Sequence, residues 1–117
     1  MSHPQIRPSV FAGGAQWLAL HSYAASFTPT AATKRAAKNY VNSMAVLFPC
    51  KDCREHFIKF MEHNDINLYL DSPHRFFLWT YLAHDGATRA KGEQSPPYNE
   101  TKRYYFESLH GTCDKCG

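Results

Sequence analysis

At 117 residues, with 44% hydrophobic and 20% charged residues and a formal charge of +3, the chain suits one globular domain with a real core. No run approaches the roughly 18 consecutive apolar residues of a membrane span. Basic residues are scattered (Lys34, Arg35, Lys38; Arg89, Lys91; Lys102, Arg103) rather than gathered into a nucleic-acid-binding block.

In chain order, Met1 to Pro8 lacks both the apolar stretch and the cleavage pattern of a secretion signal, so residues 1–10 are expected to be a loose tail. Trp17, Leu20, His21, Ala24 and Phe27 then recur at spacings of three and four, which predicts a first helix. After the Pro29-Thr30 break, Ala36, Ala37, Tyr40, Val41, Met44, Leu47 and Phe48 predict a second. A third opens at Pro49-Cys50, and its face Cys50, Cys53, Phe57, Phe60, Met61 sets both cysteines toward the core. Ser72-Pro73 is an N-cap and first-turn pair for a fourth helix. Phe76, Phe77, Trp79, Thr80, Leu82, Ala83 and His84 make that helix apolar on many sides, hence central. Gly86 and Gly92 are expected to weaken its end, and Ser95-Pro96-Pro97 breaks the chain. Tyr98 to Leu109 reads as a short last helix. No segment alternates as a strand does. The fold class predicted is all-α, a four-helix bundle with a short fifth helix, over residues 11–110.

Cys50 and Cys53 are the most informative residues. On the first turn of a helix, unpaired backbone N–H groups and the helix dipole favour a thiolate. An ionisable thiol with a neighbour able to close a disulfide on it is redox machinery. A disulfide within one turn closes too small a loop to stabilise much by chain entropy. A thioredoxin-type site needs a βαβ context that is missing here. A second pair, Cys113 and Cys116, lies in residues 111–117, an expected mobile tail. The two pairs together could form a zinc site, although they lie much further apart than the roughly 15–20 residues usual for paired knuckles. A zinc-binding module without catalysis is therefore the alternative, and a helical scaffold with incidental cysteines a further one.

Trp17 and His21, at i and i+4, share one face of the first helix. His84, Thr88 and Lys91 share one on the fourth if it continues past Gly86. Beside a dithiol, these groups suit a flat aromatic cofactor with a phosphate-bearing tail, the rings stacking and the polar groups bonding to ribose and pyrophosphate.

Taken as a set, Trp17-x-x-x-His21, Cys50-x-x-Cys53-x-x-His56-Phe57 and Trp79-x-x-x-x-His84 resemble the Erv/ALR family of FAD-dependent sulfhydryl oxidases. The chain's compact length is similar to that of the single-domain members, including those of large DNA viruses. The resemblance implies a helical bundle around FAD, usually a homodimer, which makes disulfides in protein dithiols, directly or through a thioredoxin-like partner. Electrons would pass to O2 with release of H2O2, and no metal, nucleic acid or membrane is involved. By position, Trp17, His21 and Tyr23 would line the flavin site, Trp79 and His84 would meet the adenine end, and His56, which matches a histidine found in part of the family, would bind the cofactor. Thr88 and Lys91 would also bind the cofactor. Cys50 and Cys53 would be the catalytic disulfide, Cys53 against the flavin and Cys50 attacked from outside, with Cys113–Cys116 as a shuttle disulfide. Asp85 and Thr88 stand where the family has asparagine, and a carboxylate there opposes a phosphate unless Arg89 or Lys91 offsets it. On this reading the expected location is the cytoplasm, including that of a virus-infected host cell, or a virion.

Overall fold

The computed structural model describes residues 14–109. The cysteines Cys113 and Cys116 and both expected tails therefore lie outside the described residues. Five α-helices follow one another: α1 (Ala15–Ala25), α2 (Ala31–Leu47), α3 (Lys51–His63), α4 (Pro73–Ala90) and α5 (Tyr98–Arg103). A 3-10 turn, Ile66–Tyr69, joins α3 to α4, and α5 runs on into a π-helical turn, Tyr104–Leu109. No strand occurs among the described residues. The predicted all-α bundle with a short fifth helix is the fold observed.

The boundaries follow from local chemistry. Thr30 caps α2 reciprocally: its hydroxyl accepts from the Thr33 N–H at 3.0 Å, and the Thr33 hydroxyl accepts from the Thr30 N–H at 2.8 Å. Ser72 accepts from the Arg75 N–H at 3.1 Å, and Pro73 occupies the first turn of α4 at no cost in hydrogen bonds. Contrary to expectation, α4 runs straight through Gly86. A mid-helix glycine costs about 1 kcal/mol in propensity, too little to end a helix whose packing holds it. Termination comes at Gly92, whose φ of +75° is the left-handed geometry glycine adopts without strain. Tyr81 then donates to the Pro96 carbonyl, which ties the proline break back onto α4.

As its composition predicts, α4 is the central element. Phe76, Phe77, Trp79, Thr80 and Ala83 are buried, and they pack against Trp17, Leu20, His21 and Ala24 of α1. Trp79 is wholly enclosed. Phe57 and Phe60 of α3 meet it edge-on at 6.0 and 5.2 Å, and its indole N–H donates to the Asn64 carbonyl at 2.9 Å. These contacts fix the spacing of α3 from α4, which sets the width of the site between them.

Candidate functional site

Cys50 is not inside α3 but caps it. With φ −88° and ψ 124° it is extended, and its sulfur accepts from the Cys53 N–H at 3.2 Å. A cap residue does not follow the helical face. This corrects the expectation that both cysteines point coreward: Cys50 is exposed, whereas Cys53, one turn in, is half-buried. Arg54 supports the arrangement by donating to the Phe48 and Pro49 carbonyls, bracing the end of α2 against the start of α3.

The two sulfurs differ sharply. The Cys50 thiol is held below its usual range, first by the hydrogen bond from the Cys53 thiol and then by the Cys53 backbone N–H. Burial, donation to Cys50 and the Cys50 charge push Cys53 up to about 11, with Lys91 pulling the other way. One thiol is exposed and readily ionised; the other is covered and holds its proton.

Both open onto a cavity of about 550 Å3, within the range of roughly 300–1,000 Å3 usual for small-molecule sites. Trp17, Phe48, Phe57 and Phe60 supply aromatic walls. The α4 side is Ala83, Gly86, Ala87 and Ala90, small residues at i, i+3, i+4 and i+7 that leave a flat floor. A Cβ built at Gly86 meets nothing within 4 Å, so the space beside it is open. Polar groups gather at its edge: Lys59, Lys91, His56 and His63 against the single carboxylate of Asp52. A flat ring system with a diphosphate tail matches this combination of slot and basic rim.

A second cavity, about 340 Å3, lies beyond a partition made of two stacked rings. Trp17, on the first cavity, and His84, on the second, stack at 4.4 Å and 4°. His21, Asp85, Thr88 and Tyr105 also border this space. His84 Nδ1 lies 2.9 Å from His21 Nε2, and His21 Nδ1 lies 2.8 Å from the Thr80 hydroxyl. Burial, and then His84, lowers His21 to about 3, while burial and Lys91 lower His84 to about 4. Asp85, the carboxylate beside His84, is paired with Arg89 at 2.9 Å.

Of the residues singled out in the sequence, the first cavity gathers Trp17, Cys50, Cys53, His56 and Lys91, and the second His21, His84 and Thr88. Two stand apart. Trp79 lies in the core behind Phe57 and Phe60, and Tyr23 is exposed, edge-on to Tyr40 of α2. Sequence reasoning did not single out Arg54, Thr80 or the small-residue floor. The Ala83-Gly86-Ala87-Ala90 spacing was the signal for the last. Among the described residues no three His, Cys, Asp or Glu side chains converge as a metal-ligand set, and no helix is long and apolar enough to cross a membrane.

The histidine pair carries a pH signature. Both fall below the usual 6.5 when folded, so unfolding takes up protons that the native state excludes. Stability from this source is fully present above about pH 6.5 and is lost as pH falls toward 4 and then 3. Between about pH 7.5 and about pH 5 the loss should reach about 2 kcal/mol for each histidine. Urea unfolding at the two pH values measures it; equal stability at both would show that the histidines are not buried neutral.

The profile of the Erv1 / Alr family matches residues 14–109. The protein named "FAD-linked sulfhydryl oxidase ERV1" of Oryza sativa subsp. japonica is 32% identical over 83 residues, 69% of this chain and 42% of that protein. "Putative FAD-linked sulfhydryl oxidase 096R" of Invertebrate iridescent virus 3 is 28% identical over 75 residues, 62% of this chain and 51% of the viral protein. "FAD-linked sulfhydryl oxidase ERV1" of Arabidopsis thaliana is 28% identical over 83 residues, 69% of this chain and 42% of its own length. The matched part thus spans about half or less of each of these curated relatives.

Proposed function

This chain belongs to the Erv1/Alr family, and from that premise we propose that it is an FAD-dependent sulfhydryl oxidase that forms disulfides in protein dithiols. The carrying observation is the asymmetric pair, exposed Cys50 and covered Cys53, on the edge of a cavity with aromatic walls, a flat floor and a basic rim. The relatives' names supply the cofactor. Trp17, Phe57 and the floor around Gly86 would hold its ring system, Lys59, Lys91 and His56 its phosphates, and His84, at the second cavity, its adenine end. When bound, FAD would supply the two-electron acceptor that lets Cys50 and Cys53 close again as a disulfide, with O2 as the final acceptor and H2O2 the product.

The chain's own residues account for the thiol chemistry. A substrate thiolate attacks the Cys50 sulfur of the Cys50–Cys53 disulfide, forming a mixed disulfide and releasing Cys53 as the leaving thiolate. At that point Cys50 carries no charge, so two of the causes that raise Cys53 vanish while the attraction of Lys91 remains. The second substrate thiolate then attacks its partner sulfur. It leaves the substrate oxidised and both cysteines reduced, and the stabilised Cys50 thiolate departs readily. Cys113 and Cys116 provide a second pair able to relay the substrate's electrons to Cys50 by the same exchange. The substrates on this reading are protein dithiols or a thioredoxin-like redox protein.

The test is the visible spectrum of the purified protein, supplemented with FAD, before and after dithiothreitol. Flavin bands that bleach only when oxygen is exhausted, and return on aeration, are expected. A colourless protein that retains no added FAD overturns the proposal.

A further inference from the structure

His21 and Thr80 are a buried polar pair in the centre of the bundle, 2% and 0% exposed. Buried polar groups at such depth must satisfy each other, and here the satisfaction has a direction. The Thr80 hydroxyl has one proton, and it donates that proton to the Phe77 carbonyl three residues back, at 2.7 Å. Toward His21, 2.8 Å away, the same oxygen can therefore only accept, so His21 carries its proton on Nδ1. A neutral imidazole has one N–H, which leaves His21 Nε2 bare. Its neighbour at 2.9 Å, His84 Nδ1, must then be the donor. His84, in turn, has a bare Nε2 with no partner among the described residues.

We propose that Thr80 is a positioning residue of this site: anchored on the Phe77 carbonyl, its hydroxyl fixes His21 and His84 as two linked Nδ1–H tautomers and leaves His84 Nε2 as a hydrogen-bond acceptor at the second cavity. Burial keeps both rings neutral, as their lowered values indicate. Trp17, stacked parallel on His84, holds the plane of the ring. If the hydroxyl turned toward His21, every proton in the series would shift and His84 would present an N–H instead. The direction of one hydroxyl therefore decides what the cavity recognises. As arranged, it selects a ligand that offers a hydroxyl or amine donor over one offering only phosphate or carboxylate oxygens. The identification of that ligand as FAD rests on the function proposed above; the tautomers do not.

Nitrogen NMR of protein labelled at histidine reads the tautomers directly, at near-neutral pH, without and with FAD. Wild type should show a protonated Nδ1 and a bare Nε2 on both His21 and His84; an Nε2–H form of either overturns the proposal. Thr80→Val keeps the shape and removes the hydroxyl. It should release His21 from the Nδ1–H form and weaken FAD binding by about five- to tenfold, and Thr80→Ser should restore both. A valine variant with wild-type tautomers, or with altered tautomers and unchanged FAD affinity, overturns the positioning role. Should that variant not fold, the wild-type and serine spectra still decide. Wild type that binds no FAD would defeat the functional reading while leaving the tautomer result intact.

Discussion

Replacing Cys53 with serine is expected to reduce dithiol oxidation at least about a thousandfold, as loss of a nucleophile or leaving group does in covalent catalysis. The folded protein should retain FAD. The reason for serine over alanine lies in the cap. The hydroxyl can still donate to the Cys50 sulfur, and the backbone N–H of residue 53 still reaches it, so Cys50 keeps the interactions that favour its thiolate. Cys50 should consequently remain reactive: its thiolate attacks an added disulfide such as oxidised glutathione, releases one thiol, and stays as a mixed disulfide that no internal sulfur can resolve, visible as a mass increase under non-reducing conditions. Cys50→Ser should be equally inactive for a different reason. Its remaining thiol is half-covered, and burial, the largest cause that raises it, is unchanged, so it should exchange little with the same disulfide. Full turnover by Cys53→Ser would dismiss the dithiol as the reactive centre. Adducts that form on Cys53 in preference to Cys50 would reverse the assigned order of attack.

The second large effect concerns a residue that never reaches the cavity. Trp79→Ala should destabilise the fold by about 3–5 kcal/mol, the range for removing a large buried aromatic. That is a sizeable part of the roughly 5–15 kcal/mol by which domains are stable. The indole fills the space behind Phe57 and Phe60, two residues that form the wall of the dithiol cavity. Its removal should let that wall relax inward, lowering affinity for any flat ligand as well as the unfolding midpoint. Trp79→Phe separates packing from polarity. It keeps a ring but removes the part-buried hydrogen bond to the Asn64 carbonyl, at a cost of about 1 kcal/mol. Urea denaturation of both variants measures these values. A cost below about 1 kcal/mol for alanine would mean that the ring is not the strut that separates α3 from α4.

Trp79 also illustrates what a sequence reveals. Its place in a recognisable motif suggested contact with a ligand, yet an aromatic at helical spacing serves equally well in a core, and only packing distinguishes the two. Thr30 was read only as a break, and its reciprocal cap with Thr33 came from the structure. The Ser72-Pro73 cap was legible because its chemistry is local, acting within three residues, and α4 begins where it stands. The apolar girdle of α4 was legible for the same reason. Gly86 was read as a weak point because propensity is a property of one residue, whereas its value as open floor depends on α3 lying opposite. The pairing of His21 with Thr80 joins residues 59 positions apart on different helices, and nothing in either segment announces it. Cys50 was assigned to the right helix but the wrong orientation, since a cap and a first-turn residue share a sequence position and differ only in backbone angles.

The sulfur cap on α3 has a cost for the protein's history. Serine, threonine, aspartate and asparagine are the residues that best close a helix start, and cysteine is not among them. Every single-step improvement of that helix at position 50 therefore deletes the thiol. A lineage selected for robustness alone would drift toward an inert, better-capped protein, and one selected for turnover must hold α3 short of its best stability. Because the cap bond is made by the reduced sulfur, that compromise also tilts the pair toward accepting electrons: whatever favours the dithiol form makes the disulfide a stronger oxidant. Helix strength and oxidising power at this position are set by one atom, and selection cannot adjust either alone.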